Sequence, residues 1–463
     1  MRDLFSKGKE AMFMDRALER EILWCYNHFW KGFRNLKHLE LTNKTCYSWF
    51  ILKEINSSPL FLSQLKTLKL YLEFYFKRGD FVRSRNVLHE LTKNEQFLQH
   101  LTHLDCEGFE GFQYYDRLMS ELLCQCMNLV SLNFPIGRQA DYYSSPDEIY
   151  KECQEIGVLE QIRKMNTLQT LSVSVYGIKT FIKHFSLPKS LQKIVLSVLH
   201  SFYDPALLDL FNSDFFERWG ELSHLITLKI RMRRTAQSND LLHKFVLPLL
   251  QETPSLKKFR LRLVHSPAFR ASSCEALDLS LFNERVAVLK QLESFKVSNR
   301  TTFNEFSPQK PCQLLTFDSK RCQFLSNLKK VHIEGDFSQE FNFQSFLRFC
   351  SSSKPLGNKN LKLSILIFES IEAFSECIRF AKQAVSFGNL KLDLKILLLV
   401  QNLEETLNYF KQPIVLEKDL RVRLDISMKW RGRRQNVNSV IEPNYDSLKQ
   451  IFGDFQIKIT EWH

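Results

Sequence analysis

One hexamer, apolar-x-x-apolar-x-apolar, constrains this chain more than any other feature. It occurs as LKHLEL at Leu36, LKTLKL at Leu65, LTHLDC at Leu101, LVSLNF at Leu129 and LQTLSV at Leu168. It returns as LQKIVL at Leu191, LITLKI at Leu225, LKKFRL at Leu256, LESFKV at Leu292 and LKKVHI at Leu328. The last two apolar positions are two apart, the period of a strand, and the first is the residue turning into it. Three looser alternating runs follow, at Leu361, Leu390 and Leu420. Between the matches the period changes to that of a helix. Leu241, Leu242, Phe245, Val246, Leu249 and Leu250 form one helical stripe, and Ile371, Phe374, Cys377, Ile378 and Ala381 form another. A single strand-helix pair cannot bury its apolar faces, whereas a stack of pairs can. The expectation is one elongated α/β repeat domain.

The pattern resembles the leucine-rich repeat, in the longer form of the ribonuclease-inhibitor-like superfamily. The resemblance covers roughly residues 36–430. It implies a solenoid, or horseshoe, with a parallel concave sheet and convex helices. It also implies a non-catalytic binding module. Two departures stand out. The spacing between lead leucines runs from 23 residues (168 to 191) to 39 (129 to 168), beyond the usual ~20–29. The asparagine or cysteine expected eight residues after the first leucine is missing. Lys44, Glu73, Phe109, Gly137, Tyr176, Leu199, Arg233, Val264, Arg300 and Asp336 stand there instead. The repeats are therefore degenerate, with turns held by other packing, and a related helix-strand repeat of less regular curvature fits the same pattern. Residues 1–35, with Leu23, Trp24, Phe29 and Trp30, are expected to form a helical N-terminal cap, and residues 431–463 a C-terminal cap ending in a strand.

Charge is unevenly placed on this scaffold. In the early hexamers the positions between the apolar ones mix signs: Glu40 and Asp105 balance Lys69 and Lys193. From Leu225 onward they read Lys229, Arg231 and Arg233, then Lys258, Arg260 and Arg262, then Lys296 and Lys330 with His332. Lys391, Lys395, Arg421 and Arg423 continue the series, and Asp393 and Asp425 interrupt it. On a horseshoe these positions line the concave face. Two readings fit: a surface built for an anionic partner, or ordinary solvated strand positions in a basic protein. The net charge of +13 favours acidic partners in either case. An acidic protein or complex is the first expectation. Nucleic acid is the second, through phosphate contacts. Substrate recognition in a ubiquitin ligase ranks below both, because residues 1–35 contain no recognisable F-box.

Chemistry-bearing motifs are absent. The chain has no G-x-x-x-x-G-K-S/T loop, no G-x-G-x-x-G, no H-E-x-x-H and no zinc-finger spacing. Cys124 and Cys126 fall two apart in a helical stretch and point away from each other. No enzyme activity and no cofactor is expected. The 11 cysteines are scattered among apolar neighbours, as reduced buried thiols of an intracellular protein would be. The first residues lack a signal-peptide core, and the longest aliphatic run, Ile396 to Val400, is too short for a membrane span. A cytoplasmic or nuclear protein is the expectation.

Overall fold

The computed structural model describes residues 37–42, 65–71, 92–93, 95–106, 115–136, 157–175, 181–182, 184, 186–198, 211 and 213–233. It further describes 238–264, 277–282, 289–300, 315–316, 328–336, 360–368, 378–379, 381–383, 385, 391–400, 420–430 and 455–461. The chain divides into two compact units, Met1–His200 with Asn212–Leu225, and Ser201–Phe211 with Ile226–His463. The expected N-terminal cap lies outside the described residues.

In the first unit six strands pair in parallel in chain order: β1 (His38–Thr42), β2 (Thr67–Tyr71), β3 (His103–Asp105), β4 (Ser131–Ile136), β5 (Thr170–Val175) and β6 (Lys193–Val198). Its helices are α1 (Glu95–His100), α2 (Tyr115–Gln125) and α3 (Ser213–Gly220), with a further helical stretch over 157–164. The second unit begins with β7 (Thr227–Arg233) and β8 (Lys258–Val264). It continues with β10 (Ser294–Arg300), β12 (Lys330–Asp336), β13 (Asn360–Phe368), β14 (Lys391–Val400), β15 (Leu420–Trp430) and β16 (Phe455–Glu461), each parallel to the one before. Two short strands, β9 (Leu277–Asp278) and β11 (Leu315–Thr316), form a separate parallel pair that the sequence pattern did not signal. β16 is the strand expected near the C-terminus.

Each of the ten hexamers opens a strand two residues after its lead leucine. The backbone explains why. The amides of the two residues following one lead leucine both donate to a single carbonyl in the preceding repeat. Thus Lys66 and Thr67 bond Lys37 O, Val130 and Ser131 bond Thr102 O, and Lys257 and Lys258 bond Ile226 O. The lead leucine amide itself closes a turn onto the residue three before it, as in Leu101 to Leu98, Leu168 to Met165 and Leu256 to Thr253. Leu65, Leu101, Leu129, Leu168, Leu191, Leu225 and Leu256 are all buried.

A second ladder replaces the missing asparagine. The residue just before the lead leucine is polar in every copy, and in three of them it staples neighbouring repeats. Asn128 Nδ2 donates to Gln99 O at 2.7 Å, Thr167 Oγ1 to Leu129 O at 2.9 Å, and Ser190 Oγ to Leu168 O at 2.7 Å. These three turns are held by hydrogen bonds one position upstream of the lead leucine, not by packing alone. Buried carbonyls need such partners when no strand supplies them.

The stripe at 241–250 is a helix with a widened middle: α4 (Ser238–Leu241), a π turn over Leu242–Val246, and α5 (Leu247–Gln251). Pro248 has no amide to offer the carbonyl four residues back, and its ring crowds that turn. The Leu247 amide reaches back five residues to Leu242 O instead. All six stripe residues are buried. Of the stripe at 371–381, Ile378 and Ala381 are buried, and its earlier members lie outside the described residues.

Beneath β8 and β10 the core is aromatic. Phe259, Phe282 and Phe295 meet with centroids 5.2 to 6.1 Å apart. Stacked and edge-on ring pairs add about 0.5–1.5 kcal/mol beyond their area. In the first unit Phe215 and Trp219 of α3 are packed fully inside. Among the described residues no helix is long and apolar enough to cross a membrane.

Candidate anion-binding surface

Strand β8 shows the local origin of the site. Phe259, Leu261 and Leu263 are buried, while Lys258 is exposed and Arg260 and Arg262 are half-buried. The aromatic core pulls one face inward and leaves the cations on the other. Their half-burial follows from long apolar stems lying along the sheet. β7 repeats the arrangement: Leu228, Ile230 and Met232 are inside, Lys229 is half-buried and Arg231 exposed. Parallel sheets covered on both faces usually read as continuous apolar runs; these strands alternate.

Register aligns the cations. Lys229 stands opposite Arg260, Arg260 opposite Lys296, Lys296 opposite His332, and His332 opposite Lys362. Five strands thus contribute to one row, which Asp393 ends before Arg421 resumes it. The neighbouring row runs Arg231, Arg262, Ser298, Glu334, Ser364, Lys395 and Arg423, so it is cationic at both ends and broken in the middle. On the other side lie Thr227, Lys258, Ser294 and Lys330. The side chains of Arg233, Lys362, Lys395, Arg421 and Arg423 lie outside the described residues, although their strands are described.

Lys362 escaped the sequence reading because its strand, LKLSILIF, has a looser frame than the hexamers. Only the pairing of His332 with Lys362 assigns it to the row. The edge of the sheet adds a second feature that alternation does not signal. Lys329 Nζ donates to Glu293 Oε1 at 3.0 Å. That hydrogen bond, the Lys329 charge, and then Lys257 and Lys258 hold the Glu293 carboxyl below its ordinary range.

The equivalent face of the first unit balances itself. Glu40 stands opposite Lys69, Lys69 opposite Asp105, and Asp105 opposite Asn133. Asn133 Nδ2 donates to Asp105 Oδ1 at 2.8 Å. A shallow groove of about 480 Å³ at the strand-entry edge is lined by neutral groups, among them Asn166, Gln169 and Gln192, beside His224.

Two of the three described thiols occupy the interior. Cys106 and Cys126 are buried and Cys124 is exposed. Burial pushes the Cys126 thiol up to about 12 and raises Cys106 as well, with Asp105 adding to the latter. Neither is a nucleophile at neutral pH. Helix α2 ends at Gln125, so Cys126 lies just beyond it, and Cys124 Sγ contacts Glu121 O at 3.0 Å. Among the described residues no group of His, Cys, Asp and Glu is placed to hold a metal ion.

Compared with known families and with curated proteins, the chain matches no family model and no curated sequence.

Proposed function

We propose that this chain is a non-catalytic binding scaffold of the leucine-rich-repeat type, taking up an acidic protein on the outer strand face of its second unit. The observation that carries the reading is the register of Lys229, Arg260, Lys296, His332 and Lys362 across five parallel strands. Like charges set side by side across strands cost up to about 1 kcal/mol a pair. An acidic partner lying over the row offsets that repulsion. The same grid could contact phosphates. The described outer positions of β7, β8, β10 and β12 hold no aromatic side chain apart from the imidazole of His332, however, and single-stranded nucleic acid binding relies on aromatic platforms for its bases. That favours protein.

The test is affinity purification of the tagged full chain, with and without nuclease, beside an Arg260→Glu, Lys296→Glu variant. The reading expects an acidic protein whose recovery survives nuclease and is lost with the variant. Recovery that vanishes with nuclease and falls steeply with salt assigns the face to phosphates instead. An unchanged partner set in the variant removes the binding role from this face.

A further inference from the structure

Arg260 is enclosed by positive charge on every side. Its outward neighbours are Lys229 and Lys296, in register on β7 and β10, and Lys258 and Arg262, two residues away along β8. Neighbouring strands are ~4.8 Å apart and alternate residues of a strand ~6.7 Å, so all four lie within ~7 Å of it at the backbone. The surrounding positions are less crowded. Thr227 and Ser294 flank Lys258, Ser298 and Val264 border Arg262, and Ser294 and Ser298 bracket Lys296. Lys229, Arg262 and Lys296 also hold interactions of their own, whereas Arg260 has no hydrogen-bond or ion-pair partner among the described residues. It is nevertheless half-buried, where a charge-assisted hydrogen bond is stronger than in open water.

We infer that Arg260 anchors a phosphorylated side chain of the acidic partner, its guanidinium forking onto two phosphate oxygens within the field of Lys229, Lys258, Arg262 and Lys296. The inference rests on the proposed acidic-protein reading and names the group by which that partner is held. A cation enclosed by cations favours charge gathered at one point over charge spread along a chain. A carboxylate brings a single charge and two oxygens, and the fork of one arginine uses both. A phosphate monoester brings about −1.5 to −2 charge and three terminal oxygens. Arg260 takes two of them and leaves the third for the exposed ammonium of Lys258. A phosphodiester of nucleic acid carries one charge and two terminal oxygens, so it saturates on the fork as a carboxylate does. Arginine clusters are a recurring receptor for phosphorylated motifs because the planar fork matches phosphate geometry. Binding on this face is then switched by phosphorylation of the partner.

The test measures binding of three labelled probes of similar charge to the full chain by fluorescence anisotropy. They are a short Ala/Gly peptide with one central phosphoserine, the same peptide with two adjacent glutamates in its place, and a thymidine trinucleotide with two phosphodiesters. The phosphopeptide should bind at least tenfold more tightly than either other probe. Arg260→Lys keeps the charge and removes the fork, so it should weaken the phosphopeptide about tenfold and leave the glutamate peptide within twofold. Glutamate binding as tight as that of the phosphopeptide overturns the phosphate anchor and leaves the acidic-protein reading standing. Phosphopeptide binding that Arg260→Lys leaves unchanged puts the anchor elsewhere, which also overturns it. A trinucleotide that binds more tightly than both peptides assigns the face to nucleic acid and overturns both readings. If no probe binds, the inference fails, and the acidic-protein reading is decided by the affinity purification. The probe comparison uses unaltered protein, so a variant that folds poorly cannot mask the result.

Discussion

The two units share a strand-entry geometry and differ in what they show to the outside. In the first, the row Glu40, Lys69, Asp105, Asn133 alternates sign and closes on itself through the Asn133–Asp105 hydrogen bond. In the second, the corresponding row is Lys229, Arg260, Lys296, His332. Counted over the unit boundaries, the second unit holds 37 Lys and Arg against 26 Asp and Glu, and the first 27 against 25. Nearly all of the +13 therefore belongs to one unit. Both faces sit over apolar cores of similar kind, so burial does not account for the difference. Charge has been placed where the scaffold did not require it.

If the contrast is confined to the outer faces, the cores should respond alike. Phe134→Ala in the first unit and Phe295→Ala in the second each remove a ring that is wholly buried. Each should cost about 3–5 kcal/mol, read as loss of hydrogen-exchange protection in the strands around the site. A cost several-fold smaller in one unit would place the difference in packing and undo the comparison.

Charge reversal should then separate the units by function. Arg260→Glu with Lys296→Glu is expected to weaken binding of the acidic partner by about a hundredfold, near 2.7 kcal/mol, while Lys69→Glu leaves binding within twofold. Thermal stability should change little with the double reversal: position 260 becomes opposite in sign to Lys229, but positions 260 and 296 remain like-charged neighbours. Equal losses from both changes would mean that net charge, not the row, attracts the ligand.

The strands were legible in the sequence because a period of two next to a fixed lead leucine has few alternatives. The hexamers at Leu36 through Leu328 and the runs at Leu361, Leu390 and Leu420 all became strands. The cations from Lys229 to Lys330 were legible for the same reason. What the sequence could not show is which cation stands beside which. Connections of different lengths separate the strands, so Lys362 joined the row only through backbone pairing. The polar residue before each leucine was visible as letters, but its partner lies in the preceding repeat, over twenty residues away. The short pair β9 and β11 left no periodic trace, since two residues cannot display a period.

That hydroxyl and amide ladder is the next test, and a smaller one. Thr167→Val and Ser190→Ala remove donors to Leu129 O and Leu168 O. Each should cost about 0.5–1.5 kcal/mol, read from urea denaturation, without altering binding of the acidic partner. A change in binding with unchanged stability would mean that the first unit's strand-entry edge takes part in recognition.

The smallest effect belongs to Glu293, an acid set among the second unit's cations. Its folded pKa is lowered, first by the Lys329 hydrogen bond and then by the charges of Lys329, Lys257 and Lys258. A lowered carboxyl pKa stabilises the fold above the unfolded value, about 4.3, and that contribution fades as pH falls through the folded value. Glu293→Gln should therefore melt slightly below the wild type at pH 7, with the gap closing toward pH 3. High salt should also shrink the gap at pH 7, because the pair is exposed and screened. A gap that persists unchanged at pH 3 would show that Glu293 acts through packing rather than charge. The second unit's edge would then lack an electrostatic brace.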